Sequence, residues 1–326
     1  MDILIYEHFL GENFSEQPSP LILNEAKLII NIIIKDLSLE FSDSKISLLL
    51  NKKNRNFIHS NNHIYRNYED DVITDISKKI KKNDKVLILA PEENLILFNL
   101  IKSLEDKNIG HFNTNSNFIY SSTNKFELNI KLKNSEKYQI KTYKDYSKVY
   151  TDKEIVAKPN DGVGAQNLFI FKNKFDLEKN KHRLNDFHIY QEYIKGIIIG
   201  INIVITKNKI IILSINEQIY KNSSSNEIYL SKIHIGKYNY MFDDFRIFVE
   251  SILSNFNIFF GFIGIDAILT QDKKILFLEI NPRLTTSYIG LRESIGTNPF
   301  SFLQKNISSF NIAKNKLITL RISNEK

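Results

Sequence analysis

An apolar run that ends on two polar residues constrains this chain most. Residues 275–280 read as a strand, and Pro282 stops it because proline cannot donate to a ladder. Residues i and i+2 of a strand point to one face, so Glu279 and Asn281 offer two oxygen ligands side by side. Arg283 follows at once. Hard oxygen ligands next to a guanidinium suit Mg²⁺ holding a polyphosphate. Upstream, a second apolar strand at 262–269 carries Asp266. A carboxylate inside an apolar strand needs a partner, and a metal ion supplies one. Asp266 and Glu279 therefore read as a carboxylate clamp on adjacent strands. The plainer alternative is an edge strand whose Glu279 is paired to Arg283.

Two further segments carry chemistry. Residues 155–165 deliver Lys158 from an apolar strand into a turn containing Gly162 and Gly164. Lysine is a compact cation that meets phosphate oxygens, and glycine lets backbone N–H groups approach them. The turn is not a P-loop, and a lone Gly-x-Gly is often only a turn. Then come Gln191, Glu192, Tyr193 and Ile194, where main-chain groups and a carboxylate can hydrogen-bond adenine. Lys125, on a helix at 124–132, reads by itself as an ordinary surface lysine.

Composition narrows the classes. A 326-residue chain predicts two or three lobes, and 42% hydrophobic residues argue against disorder. With no Cys, disulfides, zinc–thiolate sites and cysteine nucleophiles are excluded. The first residues lack a basic n-region, so no signal peptide is expected. The apolar stretches 28–34 and 197–205 fall well short of the ~20 residues that span a bilayer. A cytoplasmic protein with no membrane contact is the expectation. The net charge of +7 comes from scattered lysines, which argues for solvated helix ends over a nucleic-acid patch.

Periodicity gives the fold class. Strands at 2–6, 46–50 and 85–90 alternate with helices at 21–37, 71–80 and 95–104, which predicts a parallel three-layer α/β lobe. From 121 the pattern becomes α+β. Strands fall within 138–172, a helix at 176–185, a hairpin at 198–206 and 209–215, a polar loop at 222–226 and a helix at 243–256. The expected division is an α/β domain at 1–115 and a second domain at 116–326, itself split into lobes at 116–195 and 196–326.

The order lysine and Gly-rich turn, Gln-Glu-Tyr-Ile, buried Asp, Glu-x-Asn-x-Arg resembles the ATP-grasp superfamily of carboxylate–amine ligases. Within it, the chain is most similar to the tyramine–glutamate ligases of methanofuran biosynthesis. Further matching segments are Ile5-Tyr6-Glu7 through Gly11, the run at 21–26 ending Glu25-Ala26, Ala90-Pro91-Glu92-Glu93, and the run at 213–218 ending Glu217-Gln218. The resemblance implies an ATP-grasp fold, with two α+β lobes gripping ATP behind the α/β domain. It implies that Lys125, Lys158, Gly162 and Gly164 meet the phosphates, and that Gln191 and Glu192, with the main chain of Tyr193 and Ile194, hold adenine. Asp266, Glu279 and Asn281 would bind Mg²⁺ or Mn²⁺. Arg283 and Lys158 would be catalytic, neutralising an acyl phosphate formed from an amino acid such as L-glutamate and trapped by an amine such as tyramine. Thr285, Thr286, Ser287 and Tyr288 would lie near these substrates, the alternative being a simple helix cap. A homodimer is compatible with this picture.

Three positions depart from the family pattern. Asn124 stands where relatives carry Asp, Ile235-Gly236-Lys237 replaces a Gly-Gly turn, and Ile197, Ile198 and Ile199 occupy the place of an acid that often contacts ribose. Isoleucine cannot accept that hydrogen bond. A ligase for another amino acid or peptide, or a degenerate nucleotide-binding scaffold, are the alternative readings.

Overall fold

The computed structural model describes residues 1–57, 62–149, 151–161, 167–207, 209–222, 228–257, 260–304 and 310–322. Three sheets organise them. The first is parallel, in the order His63–Tyr65, Ile46–Leu50, Ile3–Glu7, Lys85–Leu89, Gly110–His111. Its strands are apolar on both faces, as a covered parallel sheet requires. Ile3 and Ile5 join one cluster, under helix Pro20–Glu40, while Leu4 and Tyr6 join the other, under helix Ile96–Asp106. The three-layer lobe expected from the alternation is thus present. Helix Pro20–Glu40 starts where Ser19 accepts the Ile22 N–H and proline takes the first turn, a preferred entry geometry. Gly110–His111 forms a short edge strand beside Lys85–Leu89.

The second sheet is small and antiparallel: Thr142–Tyr143, His188–Glu192, Ile155–Pro159, Phe169–Phe171. Where the pattern predicts a helix at 176–185, the chain forms Lys174–Asn180, capped by Asn173, and then a 3₁₀ turn at Lys181–Arg183. The third sheet has six antiparallel strands, in the order Ile275–Asn281, Gly261–Leu269, Ile197–Ile205, Ile210–Asn222, Ile228–Ile235, Ile318–Arg321. Helix Phe242–Leu253 buries Phe245, Phe248, Val249 and Ile252 against Ile199, Ile201, Ile263, Ile265 and Ala267. The opposite face of these strands is mixed: Val204 and Phe262 pack on the α/β domain, and Asn202 and Asp266 lie beside them. Among the described residues, no helix is long and apolar enough to cross a membrane.

One of the two main core clusters crosses position 115. Leu10, Ile33 and Leu48 share one core with Phe262, Tyr288, Leu291 and Phe300. Asp36, fully buried in helix Pro20–Glu40, pins this junction. It accepts from the Tyr288 hydroxyl (2.7 Å) and from Arg292 Nη1 (2.8 Å). Asp36→Ala strands a buried hydroxyl and a half-exposed guanidinium, which should cost about 2–3 kcal/mol. Urea melts would register this as a lower midpoint, whereas an unchanged midpoint would show the contact to be idle.

Candidate functional site

The site is assembled on the mixed face of the six-stranded sheet. Strands Gly261–Leu269 and Ile275–Asn281 pair with Asp266 opposite Glu279 and Gly264 opposite Asn281, and a bulge follows Asp266. Directly paired residues share a face, so both carboxylates and the Asn281 amide lie together, away from helix Phe242–Leu253. Asn281 Nδ2 donates to Asp266 Oδ2 at 3.0 Å, and Gln218 Nε2 donates to Asp266 Oδ1 at 3.0 Å. Tyr220 in turn donates to Gln218 Oε1 at 3.0 Å. Gln218 reaches Asp266 across the intervening strand only because residue 200 is glycine. A Cβ there would strike the Gln218 amide and come within 3.2 Å of Asp266 Oδ1.

The small sheet supplies the cations. Lys158, 9% exposed on strand Ile155–Pro159, sits near Glu279, Lys125 and Asp266. Burial pulls its pKa down to about 8, with Glu279 opposing and Lys125 adding to the fall. Lys125 Nζ lies 3.3 Å from Glu279 Oε2. Its helix, Lys125–Lys131, is capped by Asn124 Oδ1 accepting the Glu127 N–H at 2.9 Å. Asparagine caps as well as the family's aspartate. Asn160, two residues after Lys158, fastens this helix through its carbonyl and side chain to the Lys125 and Phe126 N–H groups, both at 2.9 Å.

The two acids titrate in opposite directions. For Asp266, burial and then the Glu279 charge push the carboxyl well up, against the Asn281 and Gln218 hydrogen bonds. For Glu279 burial also pushes up, but Lys125, Lys158 and Arg283 outweigh it and hold the carboxyl below its ordinary value. Among the described residues, no group of three or more His, Cys, Asp or Glu side chains is placed to hold a metal ion. The set here is two carboxylates and a carboxamide. Two adjacent, partly buried carboxylates, one of them forced toward its neutral form, fit a dication that would relieve their repulsion.

Arg283 is also brought to this site, though its nearest partner is not a phosphate position. Its Nε donates to Glu92 Oε2 at 3.1 Å, and Glu25 and Glu279 add to the negative field around it. Gln191 and Glu192 separate. In the ladder Lys158 pairs with Ile189, Val156 with Gln191 and Ile155 with Glu192. Gln191 therefore shares the Lys158 face, where its Nε2 donates to Thr142 Oγ1 at 2.7 Å. Glu192 lies on the other face and pairs with Lys153. This corrects the expectation that the Glu192 carboxylate joins the site, because strand parity turns it away. The Tyr193 N–H is already committed to the Glu154 carbonyl at 2.8 Å. Gly162 and Gly164 lie outside the described residues, as does most of the polar loop at 222–226.

The run after the metal-type strand divides as well. Thr286 donates to Glu25, Thr285 and Ser287 donate to Asn202 Oδ1, and Tyr288 is buried against Asp36. Tyr288 is thus part of the core, a correction to its expected place beside substrate. Ile198 pairs with Gln218 and Ile268, on the face that carries Asp266, so the isoleucine in place of the family's acid does face the site. The sequence reading left Gln218 and Tyr220 without a role. Their signal lies in the strand 210–222, where Ser214, Asn216, Gln218 and Tyr220 fall at every second position, with Ile215, Glu217 and Ile219 between them. Such alternation marks a strand with one polar face.

Comparison with known proteins agrees with this geometry. Residues 122–287 match the family described as ATP-grasp domain. The tyramine–L-glutamate ligase of Methanocaldococcus jannaschii is 29% identical over 99% of this chain and 93% of its own length. An ATP-grasp superfamily protein from Archaeoglobus fulgidus superposes with a TM-score of 0.72 at 19% identity, covering 93% of this chain and 88% of that one. The N5-carboxyaminoimidazole synthetase of Staphylococcus aureus, solved with ADP, gives 0.65 at 14% identity over 88% of this chain and 71% of its own. The chain belongs to the ATP-grasp family, a group of carboxylate–amine ligases.

Proposed function

We propose that this protein joins the carboxylate of an amino acid, L-glutamate, to an amine of the tyramine type, with ATP converted to ADP and phosphate. The observation that carries this reading is the Asp266–Glu279 pair facing Lys125 and Lys158, in a chain alignable over 99% of its length with a tyramine–L-glutamate ligase. In this account the substrate carboxylate attacks the γ-phosphoryl group, giving an acyl phosphate. The amine then attacks the acyl carbon and phosphate leaves. Lys125 and Lys158 bind and orient phosphoryl oxygens, and Arg283 orients the carboxylate by bidentate hydrogen bonds. Mg²⁺, held by Asp266, Glu279 and the Asn281 carbonyl, would neutralise phosphate charge when bound. Gln191 and the Ile194 main chain are the groups assigned to the base.

Purified protein incubated with ATP, Mg²⁺, L-glutamate and tyramine should yield the glutamyl amide by mass spectrometry. ADP release with a different amino acid–amine pair alone would transfer the reading to another ligase. Absence of ADP with every pair would favour the scaffold reading, which Ile198 on the site face supports.

A further inference from the structure

Strand Ile197–Ile205 carries one polar side chain, Asn202, in a run otherwise made of isoleucine, valine and glycine. Asn202 is 6% exposed. A buried amide is costly unless its hydrogen bonds are made, whereas valine or isoleucine would suit the strand. Its bonds go to two places. Asn202 Nδ2 donates to Oγ of the fully buried Ser214 at 3.0 Å. Asn202 Oδ1 accepts from Thr285 Oγ1 at 3.2 Å and from Ser287 Oγ at 2.8 Å, and these two hydroxyls lie 2.9 Å apart.

Register explains the reach. Ser214, Asn202, Gly264 and Asn281 lie opposite one another across four strands, one side-chain row along from Asp266 and Glu279. After Asn281 the chain turns at Pro282 and folds back over this row. Gly264 leaves the space for it, since a Cβ there would stand 2.7 Å from Thr285 Cγ2. The same segment opens the next helix, with the Tyr288, Ile289 and Gly290 N–H groups donating to the carbonyls of Thr285, Thr286 and Ser287. Arg283 lies two residues before Thr285. Glu92 holds only its Nε, and Nη1 donates to the main chain at Leu284 O, at 3.3 Å. The direction of the planar guanidinium fork therefore depends on where the backbone of 282–287 is held.

Resting on the ligase reading, we infer that Asn202 is a positioning residue. By clamping Thr285 and Ser287 it fixes the segment 282–287, and with it the Arg283 guanidinium that orients the amino-acid carboxylate. The clamp's hydrogen bonds end on Ser214, Thr285 and Ser287. Its loss therefore acts on the carboxylate substrate and leaves the nucleotide side in place.

The test perturbs the clamp from two sides. Asn202→Ala removes the acceptor, and Gly264→Ala pushes Thr285 Cγ2 away. Each should raise the KM for L-glutamate about tenfold, with kcat lowered less and ADP affinity by calorimetry within about twofold of wild type. Thr285→Ser keeps the hydroxyl and removes the methyl, so adding it to Gly264→Ala should bring the KM back to within about threefold of wild type. Hydrogen exchange needs no substrate: amides at 285–290 should exchange about tenfold faster in Asn202→Ala and in Gly264→Ala, while those of Gly261–Leu269 keep wild-type rates. Unchanged exchange at 285–290 overturns the clamp, and so does a double variant without rescue. Faster exchange with an unchanged KM, or equal losses in glutamate KM and ADP affinity, overturns the positioning role. If wild type consumes no ATP with any amino acid–amine pair, the ligase reading fails and the role through Arg283 fails with it, while exchange still decides the clamp.

Discussion

Replacing Lys158 with methionine is expected to lower turnover by roughly 10³ while leaving the fold intact. The ammonium sits 9% exposed between Glu279 and Lys125, at the place where the proposed phosphoryl group must pass. A cation preorganised in so dry a site acts on developing phosphate charge more strongly than it would in water. Methionine keeps the apolar stem and removes the charge. Stability should move differently. The Lys158 pKa lies near 8 in the folded protein, below the ordinary lysine value of 10.5. Between those values the unfolded chain binds more protons, so wild-type stability rises as pH climbs from about 8 to 10.5. Lys158→Met should lose that rise and match or exceed wild-type stability at neutral pH. Calorimetric ATP binding equal to wild type would show Lys158 to be structural only.

Removing either member of the acidic pair should cost roughly 10²–10³ in turnover, with a distinct signature for each. Asp266 is an acid pushed toward neutrality by burial and by Glu279, and its oxygens already accept from Asn281 and Gln218. Asp266→Asn removes a repulsion but turns one of those two acceptors into a donor, so it should shift a melt without nucleotide by less than Glu279→Gln does. Glu279 is the counter-charge to Lys125 and Lys158. Glu279→Gln leaves two ammonium groups facing each other in a buried site, which should destabilise by about 1–3 kcal/mol. Equal melting of the two variants would contradict this split, and unimpaired ATP turnover in either would sink the metal assignment.

Much of this site was legible because its signals are local. Asp266 and Glu279 stand out as acids in apolar strands, and Lys158 as a lysine in another. The helix 21–37 and the strand 46–50 follow from simple periodicity, with the observed bounds Pro20–Glu40 and Ile46–Leu50. What stayed hidden depends on register or on long-range approach. Gln191 and Glu192 are adjacent, and only the pairing of Lys158 with Ile189 decides which one faces the site. Gln218 bonds Asp266 across a third strand, through space left by Gly200. Glu7, Glu25 and Glu92 matched family segments individually, but their meeting at Arg283 requires the α/β domain to dock on the strand pair through the core shared by Ile33 and Phe300. Strand Ile228–Ile235 escaped because Ser231 and His234 interrupt its apolar run.

The central claim is that a carboxylate attacks the terminal phosphoryl group of ATP on the Asp266–Glu279–Lys158 face. Its most direct test supplies L-glutamate labelled with ¹⁸O in its side-chain and α-carboxylates, together with ATP and tyramine. Attack by the carboxylate carries one of its oxygens into the phosphate when the amine displaces it. The account predicts ADP and one ¹⁸O in phosphate for each amide formed. Unlabelled phosphate beside the amide, or AMP in place of ADP, would contradict it.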